Sequence, residues 1–156
     1  MKMASCELGS LTGHEAGRRL LQELYRAETG EDLPEIRITH RGKPYFPDSD
    51  WQFSISHTPK HAFCVLSRHN VGLDAEELNR KVNLKLADKI LSPGEKRQFD
   101  AAEKKEKALL TFWVLKEAAA KLSGEGLRGY PNHTDFALDD PRVTETDGCL
   151  VAVMEE

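Results

Sequence analysis

Near the start of the chain, Leu20, Leu21, Leu24 and Ala27 recur at helical spacing and fall on one stripe. Thr12-Gly13-His14-Glu15 precedes them as a capping box and Gly30 follows, which predicts a helix over residues 13–29. The period then changes. Residues 36–39 alternate like a short strand, and Arg41-Gly42-Lys43-Pro44 reads as a turn. Residues 51–56 and 62–67 are apolar runs of strand length around a polar loop at 57–61, and residues 71–76 continue the sheet.

From residue 82 the helical period returns, and residues 82–91 are one candidate helix. Ser92-Pro93-Gly94-Glu95 starts another, with serine as N-cap, proline at the first helical position and glutamate at the third. Residues 105–123 form a long helix stopped near Gly124 and Gly126. The tail reads as two strands, 135–138 and 149–154, about an Asp147-Gly148 turn. The fold class is therefore α+β, an antiparallel sheet packed with a long helix. We expect one unit over residues 1–156, with approximate halves at 1–70 and 71–156.

A chain of 156 residues that is 39% hydrophobic and 31% charged can bury a core without staples. No apolar run approaches membrane-spanning length, and the first residues lack a signal-peptide core. Cys6, Cys64 and Cys149 are scattered, which argues against a disulfide framework and against a cysteine zinc site. The expectation is a cytoplasmic protein with neither a membrane nor a nucleic acid as partner. The net charge of −4 is unevenly spread: residues 80–107 carry nine Lys/Arg against five Asp/Glu, a window of +4 that leaves −8 elsewhere. That window is either a solvated helical surface or a docking face for an acidic partner.

Asp74 and Glu76 lie two apart in an apparent strand, so both project from one face while Leu73 and Ala75 face a core. Carboxylates this close repel unless a cation or proton lies between them, and a hard ion such as Mg²⁺ takes such oxygen ligands. On the long helix, Trp113, Glu117 and Lys121 share a face; Glu117 could complete a metal site, or pair with Lys121 as a surface salt bridge. Ser56-His57 closes an apolar strand, where hydroxyl and imidazole donors suit a phosphate better than nucleophilic catalysis. Lys43, in its constrained turn, is a further candidate for an anion.

Taken in order, Gly42-Lys43-Pro44, Phe53-Ser54-Ile55-Ser56-His57, Gly72-Leu73-Asp74-Ala75-Glu76 and Trp113-Val114-Leu115-Lys116-Glu117-Ala118-Ala119-Ala120-Lys121, with Gly124-Glu125-Gly126 following, resemble the successive motifs of the 4′-phosphopantetheinyl transferase superfamily. The resemblance runs from about residue 30 to residue 127 and is to the surfactin-synthetase-activating type in a shortened form. It implies transfer of 4′-phosphopantetheine from coenzyme A to a serine of an apo carrier protein, with release of 3′,5′-ADP. By the same resemblance, Asp74, Glu76 and Glu117 would hold Mg²⁺, Glu117 would accept the serine proton, and Lys121 and Lys116 would stabilise phosphate oxygens. Lys43, Ser56, His57 and Arg41 would grip the nucleotide end of coenzyme A, and an acidic carrier would dock near residues 80–107.

The sequence departs from the pattern in places. The N-terminal subdomain would be trimmed to one helix and a few strands, Ser54 stands where Asn is common, and Arg18 and Arg19 have no matched role. A trimmed half suits a monomer or a small homo-oligomer. Two alternatives stay open: a relative that binds coenzyme A or a carrier protein with little transfer, and an unrelated Mg²⁺-dependent phosphohydrolase using the same acids.

Overall fold

The computed structural model describes residues 1–126 and 134–156. Leu127, the last residue of the family-like stretch, lies outside them. The first sheet comprises β1 (Lys2–Glu7), β4 (Gln52–His57) and β5 (His61–Ser67) in the order β1-β5-β4, all antiparallel. α1 (Gly13–Thr29) covers one face of it. Thr12 starts that helix by accepting from Glu15 N at 3.1 Å while the Glu15 carboxylate accepts from Thr12 N, and Gly30 ends it at φ 74°. Its buried stripe of Ala16, Leu20, Leu21 and Tyr25 packs on Ala62, Cys64 and Leu66 of β5. β1 had no clear signature in the sequence, because its side chains alternate only weakly between exposed and half-buried.

The second sheet comprises β6 (Val71–Glu77), β7 (Val143–Thr146) and β8 (Cys149–Glu155) in the order β6-β8-β7, again antiparallel. α4 (Lys105–Ser123) lies on its outer face, with α3 (Pro93–Ala101) beside it. A small hairpin, β2 (Arg37–Ile38) with β3 (Pro44–Tyr45), stands apart. The expected helix at 82–91 shrinks to a 3₁₀ turn at Leu84–Leu86 and α2 (Ala87–Ile90), because the Asn83 side chain caps Lys85 N at 3.0 Å and starts the turn there. The expected strand at 135–138 does not form. Side chains of α3 meet that backbone instead: Glu95 Oε2 accepts from Phe136 N at 2.9 Å and Gln98 Oε1 from Leu138 N at 3.0 Å. β7 takes its place across the Asp147-Gly148 turn, where both residues have positive φ, 53° and 76°.

The layers stack as helix, sheet, sheet, helix. β5 is buried on both faces, which explains its unbroken apolar run: Ala62, Cys64 and Leu66 face α1, whereas Phe63 and Val65 face the second sheet. Val71, Leu73 and Ala75 of β6 join Phe63, Val65, Cys149 and Val151 in this inter-sheet core. The alternate residues Gly72, Asp74 and Glu76 therefore point the other way, towards α4. Gly72 is what lets the helix lie down on the strand, since a Cβ there would collide with Ala118 O and Leu122 N of α4. No helix among the described residues is long and apolar enough to cross a membrane.

Candidate active site between the acidic strand and the long helix

The two sheets meet along β4 and β6 without a shared ladder. Two hydroxyls bridge them instead: Leu73 N donates to Ser54 Oγ at 3.0 Å and Ala75 N donates to Ser56 Oγ at 3.2 Å. Both serines are buried, so each satisfies a backbone donor that would otherwise lie unpaired at a sheet edge. Ser56 goes further, donating to Asp74 Oδ1 at 3.2 Å. The residue expected to grip a nucleotide thus also positions an acid.

Asp74 is 7% exposed and sits at the centre of the site. Its Oδ1 also accepts from Lys121 Nζ at 3.2 Å, and Lys121 in turn donates to Ile55 O at 3.3 Å. Its Oδ2 is buried and has no hydrogen-bond partner among the described residues. Burial pushes the Asp74 carboxyl up to about 6, against the pull of Lys121, and the nearby Glu117 and Glu76 push the same way. Glu117 is also raised, first by burial, then by Glu76, with Lys121 opposing. Two carboxyls held above their ordinary range, one with an orphaned oxygen, form a site short of positive charge. An all-oxygen donor set with a single ammonium fits a hard divalent cation, with Asp74, Glu76 and Glu117 as the residues that would hold it. Glu76 forms an ion pair with Arg80, which lies just past the turn that ends β6.

A cavity of about 220 Å³ opens beside this cluster, lined by Arg41, Lys43, Phe53, Glu117, Lys121 and the glycines at 42, 124 and 126. Arg41 is exposed on its rim, with Nη1 4.0 Å from Glu125 Oε1. Lys43 contributes its stem, but its ammonium is engaged: Nζ donates to Asn70 Oδ1 at 2.6 Å and to Leu122 O at 2.8 Å. Asn70 Nδ2 donates to the same carbonyl, so the pair caps the C-terminal end of α4. Burial accordingly pulls Lys43 below its ordinary value. His57 is exposed, and its ring lies against Gly13 of α1.

Two expectations about the α4 face change. Trp113 does not share the cavity of Glu117 and Lys121; it lines a neighbouring apolar groove with Arg80, Val82, Leu86, Ile90, Leu109 and Leu110. Lys116, expected at a phosphate, is buried on the α3 side of the helix, with Nζ 2.7 Å from Glu95 Oε1 and over the Phe136 ring. Glu95 is fully buried and spends its other bonds on Ser92 N and Phe136 N, so the ammonium is held by the core rather than by the cavity. Asn70, Ser54 and Glu95 were not singled out for the site. Two polar residues spaced two apart on an apolar strand were the available signal for Ser54.

A family profile described as the 4′-phosphopantetheinyl transferase superfamily matches residues 70–148. The 4′-phosphopantetheinyl transferase gsp of Aneurinibacillus migulanus is 32% identical over 124 residues, covering 69% of this chain and 52% of its own. The 4′-phosphopantetheinyl transferase HetI of Nostoc sp. is 29% identical over 122 residues, covering 72% of this chain and 52% of its own. The 4′-phosphopantetheinyl transferase psf-1 of Bacillus pumilus is 26% identical over 139 residues, covering 86% of this chain and 58% of its own. The chain thus spans about half the length of the curated relatives it matches.

Proposed function

Because this chain belongs to the 4′-phosphopantetheinyl transferase superfamily, we propose that it transfers the phosphopantetheine group of coenzyme A to a serine hydroxyl of an apo carrier protein, releasing 3′,5′-ADP. The observation that carries the reading is Asp74, buried, with one oxygen unpartnered among the described residues, and hydrogen-bonded to Lys121, which lines the cavity together with Glu117.

Bound Mg²⁺, held by Asp74, Glu76 and Glu117, would supply charge neutralisation on the pyrophosphate. The chain's own residues supply the rest. Ser56 and Lys121 fix Asp74 in place through hydrogen bonds to one oxygen, which leaves the other for the cation. Glu117, raised by burial, is suited to accept the serine proton as the serine oxygen bonds to phosphorus and the bond to 3′,5′-ADP breaks. Lys121 turns its ammonium to the oxygens that gain charge in that step. Arg41, exposed on the cavity rim, faces the nucleotide end, and His57, exposed at the end of β4, is the further candidate for it.

The acidic carrier docks over the window at residues 80–107. The exposed Leu84 and Leu86 give it an apolar centre, and Lys81, Lys85 and Lys89 a basic rim. The second reading, a coenzyme A-binding relative with little transfer, requires that the engaged ammonium of Lys43 stay on Asn70 and Leu122 O when the nucleotide binds.

One assay separates the two readings. The chain is incubated with coenzyme A, Mg²⁺ and an apo carrier, and the carrier is weighed for the phosphopantetheine increment. Transfer supports the first reading; coenzyme A binding without any increment on several carriers supports the second. Glu117→Ala is expected to lower the transfer rate by about 10² or more. Undiminished transfer by that variant removes Glu117 from the mechanism.

A further inference from the structure

Away from that cavity, the inter-sheet core ends in three side chains from three strands. His61 opens β5, Glu77 closes β6 and Cys149 opens β8, with Glu77 and Cys149 opposite each other in the ladder. His61 Nδ1 is 3.1 Å from Glu77 Oε1 and 3.7 Å from Cys149 Sγ, and the three donor atoms lie within 4.8 Å of one another. Cys149 is fully buried, and the side chains of His61 and Glu77 are each only 13% exposed. Thr58 Oγ1 donates to the same Glu77 oxygen at 2.6 Å.

We propose that His61, Glu77 and Cys149 form a transition-metal site, with Zn²⁺ the preferred ion, that ties the two sheets together. A nitrogen, an oxygen and a sulfur donor suit borderline Zn²⁺ rather than Mg²⁺. Tetrahedral zinc at ordinary bond lengths sets its nitrogen and sulfur ligands about 3.5 Å apart, close to the spacing already present between His61 and Cys149. One ring nitrogen faces both the carboxylate and the sulfur, and it carries at most one proton. Thr58 is the kind of outer partner that orients a ligating carboxylate.

A reactive-thiol role is the competing explanation, and it fits badly. Cys149 is fully buried, so an external electrophile has no access to its sulfur. The site is also distinct from the acidic cavity. Glu76 and Glu77 are successive residues of β6, so they leave the strand on opposite faces, one towards α4 and the other into the space between the sheets. The proposal stands whether or not the chain transfers phosphopantetheine.

Cobalt titration of the metal-free chain tests it. Co²⁺ should give a thiolate-to-metal charge-transfer band that saturates at a single equivalent and is displaced by Zn²⁺. The band should persist in Asp74→Asn and vanish in Cys149→Ser, and His61→Gln should weaken Zn²⁺ binding by more than about tenfold. Zn²⁺ should raise the unfolding midpoint of the unmutated chain and leave that of Cys149→Ser unchanged. Absence of the band in the unmutated chain overturns the proposal, which keeps it open to refutation even if a variant misfolds. So does a band that survives Cys149→Ser, placing the sulfur elsewhere, or one lost in Asp74→Asn, placing the metal in the acidic cavity.

Discussion

Asp74 carries a proton in the folded chain over a range where an ordinary aspartate has lost it, since burial lifts it from 3.8 to about 6. The folded state therefore binds more protons than the unfolded one between those values, and the metal-free fold loses stability as pH rises through that window. A gap of about two pH units corresponds to a loss of roughly 3 kcal/mol at most. A cation pairs only with the ionised form, so Mg²⁺ should raise the unfolding midpoint clearly near neutral pH and hardly at all near pH 5. Urea unfolding with and without Mg²⁺ across that range measures this, and Asp74→Asn should flatten both trends. A Mg²⁺ effect independent of pH would show that Asp74 is not the titrating ligand. Lys116 poses the opposite problem. Replacing it with Met strands the Glu95 carboxylate in the core, and we expect a loss of about 3–5 kcal/mol in urea unfolding. If Lys116 worked at a phosphate instead, the variant would keep its stability and lose rate.

At the scale of elements, α4 and β6 are held in register by one missing side chain. Gly72→Ala puts a methyl group against Ala118 O and Leu122 N, backbone atoms that cannot swing aside. We expect at least about 2 kcal/mol of destabilisation, together with a weaker Mg²⁺ response, because the helix must lift away from Asp74. Full Mg²⁺ response in a destabilised variant would break that link. Much of this arrangement was legible in the chain: the capping boxes at Thr12 and Ser92, the alternation of β6 and the length of α4 all follow from local pattern. What was not legible depends on partners distant in sequence. The segment at 135–138 carries strand-like residues, yet Glu95 and Gln98 some forty positions earlier satisfy its backbone. Lys116 and Lys121 look alike on paper, and only the packing of α3 shows that one belongs to the core and the other to the cavity.

Over the whole molecule, the excess positive charge of residues 80–107 is partly spent before any partner arrives. Arg80 pairs with Glu76 and Lys107 with Glu145, both acids from outside the window. Lys81, Lys85 and Lys89 are exposed and enter no ion pair among the described residues. Reversing Lys81, Lys85 and Lys89 to Glu should therefore weaken binding of an acidic carrier and flatten its salt dependence, with fold stability changed by less than about 1 kcal/mol. Carrier affinity measured at two ionic strengths decides it; unchanged affinity at low salt would move the docking face elsewhere. Sequence alone showed the charge excess but not its partial neutralisation, because Glu145 reaches Lys107 only through the second sheet and Glu76 meets Arg80 across the turn that ends β6.

β6 illustrates how little room such a design leaves for error. Its odd positions build the layer between the sheets, and its even positions present a glycine and two acids to α4. Insertion or deletion of a single residue between Gly72 and Glu76 would exchange the two sets, putting Asp74 into the oily interior and Leu73 into the cavity. Such a frameshift within the strand acts as a threshold, ending folding and chemistry together.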